Sequence, residues 1–469
     1  MTRPPAAHRS DVARRTRGDA GGRPSSGPSF ARSDDRRSRP SVSRGVLRTL
    51  AAIAAASALA TGAVAQTRPG ESAVVDWARR SSTPLAGDST AAVRALAALA
   101  ADAKVIGVGE SVHNVHEFLT IRFLLLRHLV ESGRVSALAL ESGLPEGLDL
   151  DAYVTGRAPT VDYDTAINYG FGSYPEVRAA FEWLREWNLS HPSRPPVRVL
   201  GIDLPGSAGS MVPALDRLVA YYDRVDPAEA EWVRARLRPL AEQASGPFWQ
   251  PAIQRYLALT APARDSLRRI SAGLAERLRA KERDYRAASS DGEYRWALRI
   301  AIVATQTEEM LRLGAFDASN PRDRAMAANA LWALEDEGKG GMMIWAHNAH
   351  VQTARIAGQP VPVPGGVPNL GLGLRDALGA RYVALGFSYG GPSLDSTTAP
   401  VAGSVDAMLA TVSNAAFLLP LAGASREASA WLGQPHPMRF QAGHLELRPS
   451  EAFTALIHVP RATPAEAVR

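Results

Sequence analysis

The chain has 469 residues, 46% hydrophobic and 21% charged, a globular balance that excludes wholesale disorder. It contains no cysteine, which excludes disulfides, cysteine-bound zinc and a thiol nucleophile. The net charge of +6 would suit an acidic partner, but twelve arginines and four aspartates crowd into residues 1–50 and the remainder is slightly acidic, so the body is not expected to bind nucleic acid.

Residues 1–45 are rich in Arg, Ser, Pro and Gly without apolar periodicity, the composition of a disordered basic head. Leu50–Ala65 (LAAIAAASALATGAVA) follows Arg44 and Arg48 and ends in Ala63-Val64-Ala65. Over residues 46–65 that pattern predicts a secretory signal cleaved after Ala65, hence a secreted or periplasmic protein. The run is too short and too weakly apolar to serve as a stable membrane anchor. Residues 66–469 form the expected folded domain.

From Val74 to Ala101 apolar residues recur at helical spacing, broken by a turn at Pro84–Asp88. Lys104–Gly109 reads as a buried strand, Phe118–Val130 as a helix, Val135–Leu140 as a strand, Val177–Trp187 as a helix and Val197–Ile202 as a strand. Residues 211–337 are almost purely helical in pattern and predict a large insertion. Gly341–Ala346, Arg381–Phe387 and Phe453–Val459 are further strands. Alternation of this kind predicts an α/β fold: a mostly parallel central sheet flanked by helices, with the helical insertion between sheet strands.

Glu110, Glu141, Asp203 and His347 each stand at or just past the carboxyl end of an expected strand. Ligands of open α/β sheets bind outside those ends. Each residue alone reads as a turn or cap; together they outline a pocket. Glu110 and His113 are three apart, so a carboxylate could orient an imidazole base. His347 and His350 are also three apart. His116 and His128 read as solvated or packed helix residues, and His191, His436 and His444 as surface residues in loops.

The ordered set Gly109-Glu110-x-x-His113 with Glu117-Phe118, then Glu141-Ser142-Gly143, Gly201-x-Asp203, Arg322-Asp323-x-x-Met326-Ala327-x-Asn329 and His347-Asn348-x-His350 resembles the erythromycin esterase family. Phe181–Arg185 and Asn369–Phe387 are also similar to it, so the likeness runs from about residue 100 to 460. The resemblance implies a metal-independent hydrolase that opens macrolide lactones. It implies His113 as the base that activates water and Glu110 and Glu141 as the groups that orient it and hold its charge. It implies His347, with His350, as the group that polarises the carbonyl or protonates the leaving alkoxide. Arg122, Asp203 and His350 would contact the substrate, a small-molecule ester or lactone.

Three other readings compete with this one. Glu110, His113, Glu141 and His347, with His350, would also make a nitrogen and oxygen ligand set for Zn²⁺ or Mn²⁺. Gly386-Phe387-Ser388-Tyr389-Gly390 fits G-x-S-x-G, but the loop-like Gly391–Asp395 stands where a nucleophile elbow needs a helix. A non-enzymatic pocket lined by Trp183, Trp187, Trp249 and Trp345 would bind a small apolar ligand without turning it over.

Overall fold

The computed structural model describes residues 71–85, 90–315, 317–337, 340–358, 361, 363–392, 394 and 399–468. The expected basic head (1–45) and signal segment (46–65) lie outside the described residues. No helix among the described residues is long and apolar enough to cross a membrane.

Among the described residues ten strands are present: β1 Thr83–Pro84, β2 Val105–Val108, β3 Ala137–Gly143, β4 Arg198–Asp203, β5 Met342–Trp345, β6 Tyr382–Tyr389, β7 Phe417–Pro420, β8 His436–Phe440, β9 Gly443–Leu447 and β10 Ala455–Val459. Eight of them build one sheet in the order β1-β7-β10-β6-β2-β5-β3-β4, and β8 and β9 form a separate hairpin. The six strands from β10 to β4 run parallel; β7 pairs antiparallel with β10 and with β1. All six expected strands are present. β2, β5 and β6 are buried along their whole length, as a parallel strand with both faces covered must be.

The chain runs outward through β2, β3 and β4, then returns to insert β5 between β2 and β3 before laying β6 on the other side of β2. The order therefore reverses around β2, β5 and β3, and a crevice opens at their carboxyl ends.

One face of the sheet buries Val105, Ala139, Ile202, Ile344 and Ala384 with helices Glu71–Ser81, Pro321–Glu337, Leu370–Leu378 and Val405–Ala410. The other face buries Ile106, Leu138, Val199, Met343 and Leu385 with helices His116–Glu131, Leu144–Val154 and Pro175–Ser190. Leu144–Val154 lies close on β4 because Gly147 meets the backbone of Gly201, where a Cβ would collide.

The helices from Val212–Val225 to Asp291–Leu313 pack on one another around a core of their own that includes Leu215, Tyr222, Leu274 and Ile300. The expected insertion thus separates into two parts. Helix Pro321–Glu337 buries Met326, Ala330 and Ala333 against the sheet and belongs to the sheet layers.

Candidate active site

Each central strand ends in a turn that delivers a polar side chain into the crevice. After β2, Gly109 lets Asn348 approach; a Cβ at 109 would strike the Asn348 carboxamide oxygen. Asn348 in turn brackets β6, donating to the Phe387 carbonyl at 2.7 Å and accepting its N–H at 3.0 Å. Glu110, 2% exposed, follows.

Glu110 Oε1 holds His113 Nδ1 at 2.6 Å, and Oε2 faces Arg122 Nη1 at 3.1 Å. Arg122 donates to the carbonyls of Gly109 (3.1 Å), Val108 (3.0 Å) and Ala346 (2.6 Å), lashing the ends of β2 and β5 together. Burial works against the Glu110 carboxylate, but Arg122 and then His113 outweigh it and lower its pKa. Burial likewise depresses His113, and Glu110, with Glu141 behind it, overcomes that and raises the imidazole above its ordinary value. The His113 ring stands edge-on to Phe171 and to His347, with centroids 5.4 Å and 5.2 Å away. Its Nε2 makes no hydrogen bond among the described residues.

Glu141 lies near the end of β3, two residues before Gly143, where a register irregularity between Leu140 and Gly143 interrupts the pairing with β4. Its Oε1 accepts from Arg322 Nη2 at 2.9 Å and faces His350 Nε2 at 3.2 Å; Oε2 accepts the backbone N–H of His347 at 2.8 Å. His350 Nδ1 lies 2.7 Å from Asp323 Oδ1, so the ring is clasped between two carboxylates. Burial opposes a charged His350, but Asp323 and Glu141 push its pKa up to about 10, and the ring is an imidazolium at neutral pH. Burial also opposes the Glu141 charge, but His350 and Arg322 hold that carboxyl well below the usual range.

His347 follows β5. Its Nδ1 accepts the Ala349 N–H at 3.1 Å, so the proton sits on Nε2, which points at the Ser111 carbonyl at 2.9 Å. Burial, reinforced by His113, takes its pKa down to about 3. The ring is neutral, with both nitrogens engaged.

A cavity of about 210 Å³ opens over this group. His113, Glu141, Arg322, Asp323, His347 and His350 form its polar part, while Tyr169, Trp249, Ile356, Val361, Val367 and Phe440 supply apolar walls. A narrower apolar slot of about 40 Å³ lies behind Glu110 and Glu141, against Phe171, Phe181 and Trp345.

The structure therefore brings Glu110, His113, Glu141, His347 and His350 together. Arg122 and Asp203 it places behind the cavity wall. Arg122 is 2% exposed and borders only the slot. Asp203 is fully buried, receiving Arg322 through Nε at 3.1 Å and Nη2 at 2.5 Å, and its own neighbour's Leu204 N–H at 2.7 Å. Arg322 is thus shared between Asp203 and Glu141. Arg322 and Asp323 entered the sequence reading only as motif matches; the signal that could have marked them is a charged pair opening a helix directly after Pro321. Of the four tryptophans, Trp249 lines the cavity and Trp345 the slot, whereas Trp183 and Trp187 stack on each other away from both. His436 is not a surface loop residue: it sits in β8, 6% exposed, between the carbonyls of Gly403 and Trp431. The Trp431 ring stacked on it, with centroids 3.7 Å apart, and the carbonyl facing its Nε2 explain the burial. His444 likewise lies in a strand, β9.

Residues 130–462 match the family described as erythromycin esterase. The chain belongs to the erythromycin esterase family. It is 25% identical over 303 residues, 62% of its own length and 70% of the relative's, to erythromycin esterase type II of Escherichia coli. Its fold is similar to that of a Bacillus cereus protein of solved structure (TM-score 0.72, 20% identity, 85% of this chain and 99% of that one). It is similar as well to an erythromycin esterase mutant, EreC, in its open conformation (TM-score 0.66, 20% identity, 80% and 95%). A protein described as a succinoglycan biosynthesis protein shares the fold to the same degree (TM-score 0.71, 20% identity, 84% and 98%).

Proposed function

We propose that this chain hydrolyses carboxylic esters, macrolide lactones among them, by direct attack of water without a covalent intermediate. The observation that carries the reading is His113. One of its nitrogens rests on a buried carboxylate, and the other is uncommitted at the wall of the cavity. That is the arrangement of an oriented general base.

In this scheme Nε2 of His113 takes a proton from water as the water oxygen bonds to the ester carbonyl carbon. Arg322 and His350 supply positive charge beside the oxyanion that develops. His350, an imidazolium lining the cavity, delivers the proton to the leaving alkoxide as the carbon–oxygen bond breaks. We assign that step to His350 rather than to His347, because the His347 ring is neutral whereas the His350 ring carries a proton to give. Glu110 orients His113; Arg122 and Asp203 hold Glu110 and Arg322 in place and do not touch substrate.

The same contacts support metal-free chemistry. Glu110 and Glu141 are each already paired with an arginine, whose charge would repel a divalent cation, and the His347 nitrogens are taken. Full activity after exhaustive chelation is expected; loss on chelation and recovery with Zn²⁺ or Mn²⁺ would restore the metal reading. Export, with cleavage after Ala65, is part of the proposal and is checked by sequencing the amino terminus of the secreted protein.

The deciding experiment incubates the purified protein and His113→Ala with erythromycin and a panel of acyclic esters, following the gain of one water by mass for the opened lactone and the release of acid and alcohol for the acyclic esters. Cleavage by the parent and a loss on the order of 10²–10⁴ in the variant are expected. An ester cleaved equally by both proteins would remove His113 as the base.

A further inference from the structure

The last described stretch of the chain crosses the loop that carries His113. The Thr463 carbonyl accepts the backbone N–H of His116 at 2.9 Å. The Glu117 carboxylate receives the Thr463 backbone N–H at 2.8 Å on one oxygen and the Thr463 hydroxyl at 2.7 Å on the other. Val115 and Pro464 form an isolated antiparallel bridge. The Ala465 N–H donates to the Asn114 carbonyl at 2.8 Å, and the Val468 N–H donates to the Ser173 carbonyl at 2.8 Å.

The loop needs outside support for two reasons. Asn114, directly after His113, has φ of 63°, in the left-handed region that few residues besides glycine adopt and that asparagine tolerates better than most. Helix His116–Glu131 begins after Val115, which offers no side-chain cap, so its first amides would be orphaned. Thr463 supplies the missing acceptor from elsewhere in the chain.

What the crossing segment holds leads straight to the base. The helix it caps carries Arg122, Arg122 faces Glu110, and Glu110 holds His113. At its far end the segment fastens Ser173, which closes the turn bearing Phe171, the ring packed edge-on to His113. The Glu117–Thr463 bonds are exposed, and exposed bonds of this kind add little to global stability. Their consequence is local placement.

We infer that Thr463–Val468 is a strap that positions His113, and that Glu117 is the positioning residue that anchors it. The inference rests on the reading of His113 as the base. It gives Glu117, the acidic residue closing the first motif, a role distinct from catalysis.

The test uses full-length Glu117→Ala, Glu117→Gln, Thr463→Ala and the Glu117→Ala/Thr463→Ala double variant, assayed on an ester the parent cleaves. Hydrogen exchange is followed across residues 111–117. Glu117→Ala is expected to lose about tenfold in kcat with KM within about twofold, the signature of a displaced reacting group rather than lost substrate binding. Thr463→Ala should lose less in the same direction, and the double variant no more than Glu117→Ala alone, since both cut one connection. Glu117→Gln, which keeps an acceptor, should retain most activity. Exchange across 111–117 should accelerate in Glu117→Ala. Unchanged kcat in Glu117→Ala, additive losses in the double variant, or equal damage from Gln and Ala would each overturn the inference. If His113→Ala proves fully active, the base assignment fails, while accelerated exchange in Glu117→Ala still supports a strap on that loop.

Discussion

Two clusters of similar ingredients stand at the carboxyl ends of neighbouring strands. One gathers Glu110, His113, Glu141 and His350 beyond β2, β3 and β5. The other gathers Ser388 from β6, His458 from β10 and Asp406 from helix Val405–Ala410. The Ser388 hydroxyl donates to Asp406 Oδ1 at 2.8 Å and lies 3.1 Å from His458 Nδ1, and the Arg439 N–H donates to Asp406 Oδ2 at 2.8 Å. In this second cluster burial prevails: it raises the Asp406 carboxyl and takes His458 down to about 3. In the first, paired charges overcome burial, and His350 rises to about 10. The first opens on a cavity; Ser388, Asp406 and His458 border neither the cavity nor the slot. A strand-end cluster keeps its charge, and becomes useful for moving protons, only where counter-charges are built in beside it. The G-x-S-x-G match at Ser388 therefore marks a buried brace between β6 and β10.

The strongest challenge to this contrast is removal of the shared counter-charge. Arg322→Ala leaves Asp203 and Glu141 buried without their guanidinium and should cost about 3–5 kcal/mol in urea unfolding, with activity lost as well. A cost near zero would mean the carboxylates do not depend on Arg322. Glu110→Gln should lower kcat/KM by about a hundredfold or more while the protein stays folded by circular dichroism. It should also move the acid limb of the pH profile. If His113 is the proposed base, that limb is expected above the ordinary imidazole value of about 6.5 in the parent, because the base must be neutral and Glu110 raises His113; in the variant it should fall back. A limb that stays put would separate Glu110 from the base.

Ser388→Ala tests the other side. It strands Asp406 and His458 and should cost about 1–3 kcal/mol of stability, with kcat within about twofold of the parent. Loss of hydrolysis there, with His113→Ala active, would exchange the roles of the two clusters. A further test is the pH dependence of the urea midpoint. His350 has a raised pKa, so its contribution is whole below about 6.5 and fades as pH rises through about 10. His458 has a depressed pKa, so its contribution is present above about 6.5 and fades as pH falls toward about 3. His350→Gln should flatten the alkaline flank and His458→Gln the acid one.

The strands that position the site were legible because each is a short apolar run closed by a polar residue, the mark of a buried parallel strand. β7 was not, since Phe417-Leu418-Leu419-Pro420 is too short for periodicity to separate strand from helix. β1 has only two residues, and the β8–β9 hairpin is stitched by pairing rather than by pattern. Within the site, Glu110, His113, Glu141, His347 and His350 were legible from their places after strands. Arg322 and Asp323 enter from the far end of the helical stretch, 181 residues beyond Glu141 in the case of Arg322.

The sequence by itself determined the α/β alternation, the helical insertion and the family, because hydrophobic periodicity and motif order are local properties of the chain. Only the tertiary structure decided which ionisable groups pair. It set Arg122 and Asp203 behind the wall as counter-charges, made His347 neutral and His350 charged, and left one nitrogen of His113 uncommitted. The reason is physical: a side chain's protonation and reach depend on the burial and the charges that folding places around it, and residues hundreds apart in the chain supply those charges.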